Sequence, residues 1–108
     1  MFVLKKQNDV LWPCTVSYPV DGGVFKEEKI SIRIKLLPAK GFQALIKQAD
    51  DGLFIRDILL GWEGVADDDG KALEFSEQTR DALAQVPYFV RAVINAYAEA
   101  SVGALAKN

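Results

Sequence analysis

"VLWPCTVSYPVDGGVFKEEKISIRIKLL", Val10 to Leu37, alternates apolar and polar side chains in two runs with a glycine pair between them. In the first run Trp12, Cys14, Val16, Tyr18 and Val20 recur at every second position, which places them on one face of an extended strand. In the second, Ile30, Ile32, Ile34 and Leu36 point one way while Ser31, Arg33 and Lys35 point the other. Asp21-Gly22-Gly23 joins the runs, and glycine enters the φ > 0 region a tight turn needs without steric cost. The stretch therefore predicts an antiparallel β-hairpin over about 10–36. Pro13 and Pro19 have no N–H for a ladder, so the first strand is expected at a sheet edge or broken by a bulge.

Beyond the hairpin the period changes. In "PAKGFQALIKQADDG" the residues Phe42, Leu45, Ile46 and Ala49 fall at helical spacing, with Pro38 near the first turn and Gly52 closing the segment. "DDGLFIRDILLGW" predicts a second helix carrying Leu53, Phe54, Ile58 and Leu59, or a segment that turns extended near Trp62. Ser76 is placed to cap "EQTRDALAQV", with Glu77 favourable to the helix dipole. Pro87 ends that helix and opens a longer one, "PYFVRAVINAYAEASVGALA". The expected fold class is α+β: one domain over 1–108, with a hairpin part at 1–36 and a helical part of three to four helices at 37–108.

At 108 residues, half hydrophobic and a quarter charged, the chain has the composition of a soluble globular domain with a modest core. A net charge of −2 argues against nucleic acid as partner. The charge is unevenly placed: residues 1–48 hold eight Lys/Arg against four Asp/Glu, and residues 49–108 hold five against eleven. The single cysteine, Cys14, allows no internal disulfide and fits a reducing compartment. Neither a secretory leader nor an apolar run of membrane-spanning length is legible, so a cytoplasmic protein with no membrane partner is expected.

Three aspartates and a glycine, Asp67 to Gly70, raise the question of a metal site. Placing Gly70 sixth in a calcium loop puts Asp67 and Asp69 third and fifth, but leaves Val65 first and Ser76 twelfth. Two essential ligands are missing, and adjacent carboxylates diverge, so the stretch reads as an acidic turn and no metal is expected. No histidine is present to serve as general base or zinc ligand. Cys14 has no thiolate-activating neighbour in sequence, and no phosphate-binding or nucleophile-elbow motif occurs. No catalytic group and no cofactor are expected.

The last helix is the more informative segment. Arg91, Asn95 and Glu99 form a narrow polar stripe, and nearly everything else from Tyr88 to Leu105 is apolar or small. Ala92, Ala96, Ala100 and Ala104 form an i, i+4 row that permits close approach. Either the helix lies centrally under the rest of the domain, or part of its wide apolar face meets another chain. On the second reading the partner-binding residues are Tyr88, Phe89, Ala92, Ala96, Tyr97 and Ala100.

"DILLGWEGVADDDGKALEFSEQTRDALAQVPYFVRAVINAYAEA", Asp57 to Ala100, resembles the small tail assembly chaperones of long, non-contractile-tailed bacteriophages and prophages. The shared pattern is a Trp-x-Gly-Val, an acidic turn ending in glycine, a Phe-Ser that opens a helix, and a proline-interrupted helix with a late aromatic-alanine segment. The hairpin with its "IRIKLLPAKGFQALI" run is similar to the family's N-terminal part. The resemblance implies a non-enzymatic protein that binds the tape measure protein and keeps it soluble until tail tube subunits polymerise. It implies a homo-oligomer whose further partners are the tail tube protein and a longer, frameshifted form of the chain itself. Ala106-Lys107-Asn108 is compatible with GCA AAA AAC, which contains a slippery heptamer, and the expectation is a frameshift there. The alternatives are a structural virion component, such as a head–tail connector or tail-completion protein, and a small enzyme or ligand-binding domain.

Overall fold

The computed structural model describes residues 1–2, 9–38 and 51–102. The hairpin forms as the alternation predicts. β1 (Asp9–Val20) and β2 (Val24–Lys35) pair antiparallel over twelve positions, from Asp9 opposite Lys35 to Val20 opposite Val24. Gly22 and Gly23 in the turn take φ of 92° and 75°, values that L side chains rarely adopt. Sheet order is β1-β2-β3, so the proline-bearing strand is an edge. Pro13 and Pro19 stand opposite Ser31 and Phe25. Having no N–H to give, they mark the odd-numbered pairs as the set that exchanges no hydrogen bonds between β1 and β2.

The second helix is shorter than the apolar spacing predicts. α1 (Asp51–Ile58) stops at Ile58, and Leu59–Glu63 continues as β3, antiparallel to β2. This is the extended alternative near Trp62, and it makes the sheet three-stranded. The physical reason is the central strand: Ile32 and Ile34 of β2 are fully buried, and they are paired with Trp62 and Leu59. A helix continuing through Gly61 would leave that edge of β2 unpaired. A bulge between Arg33 and Ile34 skips Leu60, which is exposed. Within α1 it is Phe54, Ile55 and Ile58 that are buried, whereas Leu53 turns outward.

α2 (Glu77–Leu83) and α3 (Pro87–Val102) complete the described elements, three helices in all among those residues. The helix expected from Pro38 to Gly52 falls largely on residues 39–50, outside the described set. α2 begins at Ser76, whose Oγ accepts the Thr79 N–H at 3.1 Å while Thr79 Oγ1 accepts the Ser76 N–H at 2.8 Å. Two otherwise orphaned donors are thereby satisfied reciprocally. α1 and α2 are tied by Arg56 Nε to Asp81 at 3.3 Å and by the Arg80 guanidinium to the Arg56 carbonyl at 3.3 Å.

The core lies between one sheet face and the helices. Cys14, Val16, Ile30, Ile32 and Ile34 meet Phe54, Ile55 and Ile58 from α1 and Phe89, Val93 and Tyr97 from α3. Tyr97 is 1% exposed; its ring stands edge-on to Phe54 at 4.9 Å, and its hydroxyl accepts the Leu37 N–H at 2.8 Å. That bond fixes the end of β2 to α3.

Burial pushes the Cys14 thiol from 9.0 up to about 11, because the thiolate would lose its hydration. The unfolded chain therefore loses this proton at lower pH than the folded chain. The stability due to the neutral thiol is complete below pH 9 and is lost as pH rises toward 11, by about 2–3 kcal/mol. Urea titrations at stepped alkaline pH are expected to show this fall, and the Cys14→Ala variant is expected to show a smaller one. Equal slopes in both chains would mean that the thiol is hydrated in the fold.

Candidate partner-binding surface

α3 runs beside β1, and its alanines make that approach possible. Ala92 and Ala96 are buried, and together with Asn95 and Glu99 they face Pro13, Cys14, Thr15 and Lys29 across a narrow groove. Of the six residues proposed from sequence to contact a partner, Phe89, Ala92, Ala96 and Tyr97 are enclosed in the chain's own core. Tyr88 is exposed and Ala100 is half-buried. The apolar row thus serves the helix–sheet contact, the central placement that the sequence left open. The wide face of α3 is covered from more than one side, by the hairpin and by Phe54 of α1 and Trp62 of β3, which stand edge-on to Tyr97 and Phe89.

The apolar surface left outside lies at the far end of the hairpin. Every residue of β2 from Val24 to Lys29 is exposed, with Val24 at 55% and Phe25 at 61%. Phe25 lines a small cleft with Thr15, Ser17, Tyr88, Arg91 and Asn95. Tyr18 stands 6.2 Å from Tyr88, ring centre to ring centre, so three aromatic side chains gather around the hairpin tip and the start of α3. Arg91 is the cation beside them, drawn from the polar stripe noted in the sequence. Aromatic side chains next to an arginine are the composition that dominates binding energy in protein interfaces. Tyr88 was legible as a candidate. Phe25 was missed, although the alternation carried the signal: it is out of phase with Ile30, Ile32 and Ile34, and so must point away from the core.

The acidic stretch is a turn built by one side chain. Asp67 Oδ1 accepts the N–H groups of Asp69 at 2.9 Å and Lys71 at 3.0 Å, while the Gly70 N–H reaches the Asp67 carbonyl at 3.0 Å. Ala66 and Ala72 bridge beneath it, and the Leu73 N–H bonds the Val65 carbonyl at 2.8 Å. Gly70 takes a φ of 80°. Asp68 and Asp69 stand exposed in water. Among the described residues no three acidic or cysteine side chains converge in a way that would hold a metal ion.

Trp62 locks this turn to the domain. Its Nε1–H donates to the Leu73 carbonyl at 2.7 Å, and its ring stands edge-on to Phe75 at 4.9 Å and Phe89 at 6.1 Å. Gly64, at φ 91°, lies against Ile30, where a β-carbon would come within 3.5 Å of the Ile30 side chain. Comparison with known proteins finds no family model, no curated protein and no solved structure that matches the chain. Among the described residues no helix is long and apolar enough to cross a membrane.

Proposed function

We propose that the chain is a tail assembly chaperone of a long-tailed bacteriophage or prophage, acting in the host cytoplasm. The partner is the tape measure protein, held soluble until tail tube subunits assemble on it. The observation that carries this reading is the coherence of the resembling stretch. Trp62, Gly64, the acidic turn, Phe75 and Ser76 are adjacent in the family pattern, and here they form one packed unit joined by the Trp62–Leu73 bond and the Trp62–Phe75 contact. The aromatic cleft of Phe25, Tyr88 and Arg91 supplies a surface for an apolar, aggregation-prone partner.

Co-expression with the tape measure protein encoded nearby tests the reading. That protein is expected to be insoluble alone and to become soluble with this chain. Phe25→Asp combined with Tyr88→Asp, both at exposed positions, is expected to leave the chaperone folded and to return the partner to the pellet. A tape measure protein equally insoluble with and without the chain would rule the function out. Recovery of the chain in purified virions would favour the structural-component alternative.

A further inference from the structure

The sheet has an edge that no described strand covers. β3 pairs with β2 only from Ser31 to Ile34, and Gly64 then lies against Ile30. From Val24 to Lys29, no described strand lies on the side of β2 away from β1. All six residues are exposed, and none is proline. The pairing parity set by Pro13 and Pro19 turns the N–H and C=O groups of odd-numbered β2 residues away from β1. β3 satisfies those of Ser31 and Arg33 through Glu63 and Gly61. Those of Phe25, Glu27 and Lys29 point from the edge, where no described strand meets them.

We propose that this edge is a self-association site at which β2 of a second copy pairs antiparallel, centred on Glu27. The occupant follows from parity and charge. Two identical strands related by a two-fold axis can pair only with odd residues opposite odd residues, since both must present their hydrogen-bonding groups to each other. Centring on Lys26 sets Lys26 against its own copy and Glu28 against Val24, with no opposite charges facing. Centring on Glu28 pairs Glu27 with Lys29 but stops after three residues, because Gly64 blocks the edge at Ile30. Centring on Glu27 sets Lys26 against Glu28 twice and Phe25 beside the Lys29 stem twice. It ends where Gly64 begins, and it forms roughly six backbone hydrogen bonds. Phe25 lines a cleft with Thr15 and Ser17 of β1 and with Tyr88, on the side of β2 away from the open edge.

The charges that ordinarily protect an exposed strand from random pairing thus select one register here. The one repulsive contact is Glu27 against its own copy, with Lys29 of each chain on the same face.

Sedimentation equilibrium of the full chain across the micromolar to millimolar range tests the site. The wild type is expected to dimerise weakly. Glu28→Lys, which turns both Lys26 contacts repulsive, is expected to weaken the dimer by roughly tenfold or more. Combining it with Lys26→Glu is expected to restore the wild-type constant, and Glu27→Gln is expected to tighten it. Circular dichroism confirms the fold of each variant, and their exposure makes retention of structure the expected result. A wild type that stays monomeric at millimolar concentration overturns the proposal. So does a dimer indifferent to Glu28→Lys, or a charge swap that fails to restore pairing.

Discussion

Replacing Ala96 with aspartate is expected to destabilise the chain severely. Ala96 is 5% exposed on the face of α3 that meets β1, with Cys14 close by and Tyr97 beside it in sequence. Lys29 lines the same groove but is itself exposed. A carboxylate at residue 96 is therefore buried with no buried cation among the described residues, and three added heavy atoms plus a charge must fit where a methyl group sat. Uncompensated burial of this kind costs about 3–5 kcal/mol. Domains of this size have roughly 5–15 kcal/mol in total, so a large share of the reserve is removed. The expected readout is a lost or strongly shifted urea midpoint. Asn95→Asp, one position along the helix and exposed, is expected to move it by less than about 0.5 kcal/mol. A folded, stable Ala96→Asp chain with lost partner binding would instead mean that this face is not core.

Trp62→Ala is expected to produce the second large loss, about 3–5 kcal/mol. The indole is half-buried, yet it touches three separate elements: it is paired with Ile32 in the sheet, stacked edge-on to Phe75 before α2, and near Phe89 on α3. Its removal leaves a void among them and strands the Leu73 carbonyl. Trp62→Phe separates the two contributions, since it keeps most of the ring volume and loses the 2.7 Å bond to Leu73. That variant is expected to lose about 1–2 kcal/mol from the bond and the smaller ring. The measurement is the urea midpoint at constant slope. If the alanine variant is as stable as the phenylalanine variant, Trp62 is not the anchor of the acidic turn.

Much of this architecture was legible in the residues. The hairpin was, because period-two alternation over Trp12–Val20 and Ile30–Leu36 admits one pairing, and glycines at 22 and 23 mark the reversal. The Ser76 cap and the start of α3 at Pro87 were legible for equally local reasons: a side-chain oxygen or a missing N–H acts within one helical turn. The turn at Asp67–Gly70 was legible too, since an aspartate that bonds its own backbone a few residues on and a glycine at positive φ are local turn chemistry. Those features depend on neighbours within a few residues, and sequence order reports such neighbours directly.

Three things were decided by tertiary structure. Leu59–Glu63 has apolar spacing compatible with helix or strand, and it became a strand because the edge of β2 at Ser31 and Arg33 needed hydrogen-bonding partners from a distant segment. The wide apolar face of α3 was compatible with a core or an interface, and packing against the hairpin, Phe54 and Trp62 settled that Phe89, Ala92, Ala96 and Tyr97 lie inside. The remaining surface was then determined by subtraction: Phe25, Tyr88 and Arg91 around one cleft, and an edge from Val24 to Lys29 that no described strand pairs. Local residue patterns specify which face of an element is apolar. Whether that face, or an edge beside it, stays open depends on how many partners the rest of the chain brings to it.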